Sequence, residues 1–280
     1  MGRQEQTNHL FSNRDLRILL VPLIVEQILN SLMGTADSIM VSNVGSAAIS
    51  AVSLVDSINI LVIQAFYALA AGGTIVCSQY IGQKDKKNAE ESARQLSFVV
   101  ACISSAVMAV CLLTRGPLLR LIFGSVEADV MEAAQIYFFY TVLSFPFIAL
   151  YDAGSSIYRA QGNTRLPMTI AVVSNGLNIA GNAVLIWGFH LGVAGAAIAT
   201  CLGYCVPSIV GLVYFTKNRT GSLYFVPFKF DGATLAAACG NGSSEMVSNI
   251  ANAITTFVFN TLFMRYRGED GVAAITIAMY

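Results

Sequence analysis

The sequence predicts an all-α integral membrane protein, a polytopic bundle of helices long enough to cross a bilayer. Three observations predict it. Of its 280 residues 55% are hydrophobic and only 11% are charged, where a soluble domain carries about 25% charged residues. Mean hydropathy is +0.65. The apolar residues fall in unbroken runs of about 20 residues, the length a helix needs to span the hydrocarbon core. A membrane barrel would show alternation over about ten residues instead, and only helices or closed barrels satisfy their backbone groups in lipid.

The chain opens with the polar stretch MGRQEQTNHLFSNRD, which lacks a small-residue cleavage site, so the first apolar segment is expected to be retained. The spans are then read in order as Ile18 to Val41, a long helix within Ala47 to Tyr80, Ala93 to Thr114, one within Val130 to Tyr158, Leu166 to Phe189, and Leu191 to Phe215. A seventh lies within Thr234 to Tyr266, and an eighth begins near Gly271. Small residues, as in GVAGAAIATCLG at 192–203, allow close helix approach. Pro22 and Pro207 each remove a backbone donor and are expected to bend their helices.

Loop charge sets the orientation. With the amino terminus inside, Lys84, Lys86, Lys87, Arg159, Arg165 and their neighbours fall in inner loops, and only Arg115, Arg120, Arg265 and Arg267 fall outside. This asymmetry predicts a cytoplasmic amino terminus. A faint repeat relates PLIVEQILN and GSAAISAV in the first span and its exit to NGSSEMVSN and GVAAITIA in the seventh, with Glu26 and Glu245 in matching places. Helices six spans apart run in the same direction, the arrangement of parallel transporter repeats. The chain is therefore divided into a six-helix lobe (1–216), a linker (217–232) and the opening of a second lobe (233–280), and is expected to be truncated at its carboxy end.

Ionisable groups inside a span are costly and are functional candidates. Asp37 leads, in the outer half of the first span. Asn175, Asn178 and Asn182 lie in the fifth, the last two sharing a face at i,i+4, and Thr200 lies in the sixth. One carboxylate among amide and hydroxyl oxygens suits a proton or a small cation such as Na⁺. Glu26 and Glu245 sit near the inner ends of their helices. Asp56 is placed near enough to the outer end of the second span to be solvated. Asp152 is placed to pair with Arg159, seven residues on. Met33, Tyr67, Phe147 and Tyr151 offer greasy or aromatic faces to a flat organic cation.

Several classes are excluded. Net charge is zero, so no basic surplus calls for nucleic acid. There is no phosphate-binding GxxxxGK[ST] loop, and the two histidines, His9 and His190, have no metal-ligand neighbours. The six cysteines lie in apolar stretches without CxxC spacing and read as small buried hydrophobes. No enzyme and no organic cofactor is expected.

Four phrases, in order, resemble the MATE family of multidrug and toxic-compound extrusion transporters: VPLIVEQILNSLMGTADSIMVSNVG, SQYIGQKDKKNAEESA, YRAQGNTRLPM and LGVAGAAIATCLG. The phrasing is most similar to the bacterial DinF/MepA-like branch. The resemblance implies twelve helices in two six-helix lobes in the cell membrane, a monomer, and export of drugs or other amphipathic, often cationic compounds in exchange for H⁺ or Na⁺. It also implies that Asp37 is the first-helix carboxylate of the cation site, with Asn178, Asn182 and Thr200 beside it. Some members carry a second carboxylate where this chain has Asn182. The alternative is a flippase for lipid-linked oligosaccharides, which is expected to line its cavity with more basic residues than these spans contain.

Overall fold

The computed structural model describes residues 13–123, 126–217 and a few isolated positions between 232 and 251. Seven α-helices follow in order: α1 (Asn13–Ser42), α2 (Ser46–Gly82), α3 (Lys86–Phe123), α4 (Ala128–Leu143), α5 (Phe145–Ala160), α6 (Arg165–Asn182) and α7 (Gly192–Lys217). A π-helical turn (Ala183–Gly188) continues α6. Among the described residues, five helical segments are long and apolar enough to cross a membrane, and α4 with α5 make a sixth if taken as one bent span. The six spans expected up to residue 217 are all present as helix. The linker and the second-lobe segment lie outside the described residues, apart from those isolated positions.

Two differences from the sequence reading have clear causes. The fourth span is broken: α4 and α5 meet at an angle of 44°. Pro146 is the second residue of α5, and without an N–H it cannot bond back into the preceding turn. The Ser144 hydroxyl donates to the Thr141 carbonyl (2.6 Å) at the break, and Ser208 on α7 donates to the Phe147 carbonyl (2.8 Å) just beyond it. The second and third spans also run longer than their apolar stretches. α2 has 37 residues and α3 has 38, or about 55 Å each at 1.5 Å per residue, against a core of about 30 Å.

The packed centre lies where α2, α3, α4 and α5 meet. Val55, Val100, Leu119, Phe138, Val142 and Phe145 are fully buried there, and the Phe66 and Phe145 rings meet edge to face at 5.9 Å. Lipid is as apolar as these side chains, so close fit rather than escape from water holds such helices together. The fit relies on glycine. A Cβ on Gly203 of α7 would stand 3.1 Å from the Asn178 Cβ of α6, and one on Gly181 would stand 3.1 Å from the Ala199 Cβ. Ser174 on α6 donates a hydrogen bond to the Gly203 carbonyl across this seam. The α6–α7 contact is the most extensive in the lobe, which brings Asn178, Asn182 and Thr200 within reach of one another. α1 stands at the edge, packed mainly on α6, with Leu20, Ile24, Ile28, Leu32 and Ile39 exposed.

Candidate functional site

Asp37, Asn178, Asn182 and Thr200 come together from α1, α6 and α7 in one directed chain. The Thr200 hydroxyl donates back to the Ala196 carbonyl (3.0 Å) and accepts from the Asn178 amide (3.3 Å). The Asn178 Oδ1 accepts from the Asn182 amide (3.2 Å). The same Asn182 Nδ2 donates to the Asp37 carboxylate (2.5 Å). Asn178 and Asn182 are each 1% exposed.

The chain leaves one acceptor over. Asn182 Oδ1 is buried with no hydrogen-bond partner, beside the carboxylate its own amide serves. A buried acceptor left unpaired costs about 1–3 kcal/mol. An amide oxygen next to a carboxylate oxygen is a ligand pair suited to a hard monovalent cation, and the carboxylate alone suits a proton. The π-helical turn starts one residue after Asn182; such turns are frequent at functional sites. Asn175, also buried, does not join the chain, and its Nδ2 is without a partner.

Asp56 on α2, placed by the sequence near enough to the outer end to be solvated, is half-buried and has protein partners. It accepts hydrogen bonds from the Tyr137 hydroxyl of α4 (3.2 Å) and from Asn59 (3.4 Å), and it lies within electrostatic reach of Asp37. Tyr137 is only 5% exposed. The sequence carried half of this signal, the i,i+3 pair Asp56 and Asn59 in an apolar helix; the approach of α4 depends on tertiary packing.

A second ionic centre lies toward the amino-terminal half of α1. Glu26, 2% exposed, pairs with Arg159 in the last turn of α5 at 2.5 Å. Arg159 thus takes its hydrogen-bonded partner from α1 and not from Asp152: seven residues along α5 is about 10 Å of helix, whereas Glu26 lies directly across. Asp152 Oδ2 is buried without a hydrogen-bond partner. Tyr151 lies within electrostatic reach of Glu26, Asp152 and Arg159, so of the residues expected at a substrate cavity Glu26 is held in an ion pair and Tyr151 stands near it. Met33 is half-buried and Tyr67 is exposed; neither is part of these networks. Glu245 lies outside the described residues.

The described helices form a polytopic membrane lobe in which a carboxylate, Asp37, is held by the Asn182 amide and paired with no cation among the described residues. The family model MatE matches residues 22–184, and the chain belongs to the MATE family, whose members are multi-pass transporters of the cell membrane and not enzymes. It is 34% identical to the uncharacterized transporter YisQ of Bacillus subtilis over 76% of this chain and 46% of that protein. It is 28% identical to the probable multidrug resistance protein NorM of Thermotoga maritima over 89% of this chain and 52% of that one. The outward-facing structure of a multidrug resistance MATE family transporter superposes with a TM-score of 0.85 at 24% identity, over 95% of this chain and 59% of the other. The chain spans about half the length of the curated relatives it matches.

Proposed function

We propose that the complete protein is a secondary active antiporter that exports drug-like, amphipathic and often cationic compounds in exchange for H⁺ or Na⁺, with its amino terminus in the cytoplasm. The observation that carries this reading is the directed chain from Thr200 through Asn178 and Asn182 to Asp37, which ends on a carboxylate with an orphaned amide oxygen beside it. The probable multidrug resistance relative supports the cargo class.

In this mechanism the empty site holds a charge on Asp37 that no arginine or lysine among the described residues offsets. A proton or Na⁺ arriving from outside neutralises it and removes the reason for Asn182 to aim its amide at α1. The packing of α1 against α6 and α7 then changes, and with it the affinity for cargo. A ligand shifts such a balance only by its differential affinity for the two states. Met33 and Tyr67 are the side chains offered to cargo. Tyr151, beside the Glu26–Arg159 pair, is offered to cargo as well, while Glu26 is held by Arg159.

Ethidium accumulation in a pump-deficient bacterium tests the reading, using the full open reading frame and collapsing the proton and sodium gradients in turn. Lowered accumulation that vanishes with one gradient is expected and identifies the ion. The Asp37→Asn protein, inserted at wild-type levels, is expected to show the accumulation of an empty vector. Export by that variant at the wild-type rate would refute the role of Asp37. No efflux under either gradient, from protein shown to be in the membrane, would transfer the assignment to lipid-linked oligosaccharide flipping.

A further inference from the structure

The α2 carboxylate repeats the chemistry of the α1 carboxylate. Asp37 accepts the amide of Asn182 and leaves that amide's Oδ1 buried and unpartnered. Asp56 accepts the amide of Asn59, which is 6% exposed, and leaves the Asn59 Oδ1 buried and unpartnered in the same way. The Tyr137 hydroxyl supplies the second donor, also to Asp56 Oδ1. Both donors converge on that oxygen and leave Oδ2 for a further ligand. The titratable groups that face Asp56 among the described residues are Asp37, Tyr137 and Tyr204, and none is a cation. Two half-buried carboxylates in mutual reach thus stand with no counter-ion among the described residues, where each charge raises the cost of the other.

We infer that Asp56, Asn59 and Tyr137 form a second monovalent-cation position, taking the same ion as Asp37 in the same state of the lobe. The inference rests on the coupling role proposed for Asp37. The two carboxylates then make the empty site doubly negative although Asn182 is an amide, and two ions enter for each cargo molecule.

The test counts ions. The full-length protein is reconstituted in proteoliposomes with ethidium as cargo, and the gradient of the driving ion, sodium or proton, is adjusted until net ethidium flux is zero. The balance point gives cations exchanged per ethidium. The wild type is expected to exchange one more cation than Asp56→Asn, whose ethidium transport is slower but still measurable. Where sodium drives transport, Asn59→Ala, which keeps the carboxylate but removes the amide oxygen, is expected to lower the count likewise; where protons do, Asp56→Ser takes its place, and either carries the test if Asp56→Asn does not fold. An unchanged count in both variants, even with slower transport, would overturn the inference and leave Asp56 as a packing residue. Loss of coupling in Asp37→Asn alongside that result would show that the first site stands while the second falls. Coupled transport by Asp37→Asn would instead remove the reading on which both rest.

Discussion

Glu26 and Asp37 lie eleven residues apart on α1, roughly 16 Å along its axis, and both turn toward the rest of the lobe. Their partners differ in kind. Glu26 meets the full positive charge of Arg159. Asp37 meets the dipole of one amide, itself oriented by a second amide and a hydroxyl. A guanidinium neutralises its carboxylate and fixes α1 to α5. An amide chain orients a carboxylate without neutralising it, and so leaves the charge to be met by something that comes and goes. The same residue class, on one helix, reads as a strut at one level and a site at the other.

The largest effect that separates the two is on stability. Arg159→Met strips the counter-ion from a carboxylate that is 2% exposed, and breaking a buried pair by removing one partner costs about 3–5 kcal/mol. Arg159 is itself one-quarter exposed, so the lower end of that range is expected. Thermal unfolding of the full-length protein in detergent should show a clear drop in midpoint, and Glu26→Gln on the same background should recover much of it. Asp37→Asn, by contrast, should leave the midpoint near that of the wild type, since an amide replaces a charge that has no ionic partner. Equal losses from Arg159→Met and Asp37→Asn would erase the distinction drawn between the two carboxylates.

How far the sequence foretold this arrangement follows the same division. The spans up to residue 217 were legible because an apolar run of membrane length has one backbone solution in lipid. The break between α4 and α5 was written in Pro146 but is masked by the continuous apolar composition around it. Asp37, Asn178, Asn182 and Thr200 were legible as polar residues in apolar helices, two of them at i,i+4 spacing, though nothing local says that Asn182 faces α1. The distant partners of Glu26 and Asp56 were not legible. Arg159 is 133 residues from Glu26, and Tyr137 is 81 from Asp56; only the packing of α5 on the lobe and of α4 on α2 brings them together. A nearer partner, Asp152, had the right charge and the wrong geometry.

A second, smaller perturbation addresses the platform under the Asp37 chain. Gly203 allows α7 to lie against Asn178, where even a Cβ would stand 3.1 Å from the Asn178 Cβ and 3.3 Å from the Ser174 carbonyl. Gly203→Val is expected to overpack this seam at a cost of about 1–3 kcal/mol. Because Asn178 holds the middle of the chain, the variant should also lose ion coupling, read as ethidium efflux that no longer follows the driving gradient. The Glu26–Arg159 pair draws on α1 and α5 and should be untouched, so adding Arg159→Met should lower the unfolding midpoint by as much as it does alone.

The smallest effect isolates the far end of the chain. Thr200→Val keeps the shape of the side chain but removes the acceptor for the Asn178 amide. Asn178 is 1% exposed, so its freed N–H finds no water and must compete for the oxygens that Asn182 and Asp37 present. A lost neutral hydrogen bond is worth about 0.5–1.5 kcal/mol, which corresponds to roughly a 2- to 12-fold rise in the ion concentration giving half-maximal export. The maximal rate should be retained, because Asp37 and its charge are intact, and Thr200→Ser should restore the wild-type midpoint. If Thr200→Val instead lowers the maximal rate at unchanged half-saturation, Thr200 acts on the movement of α7 and not through the amides. The chain from α7 to Asp37 would then be a scaffold, as the Glu26 pair is.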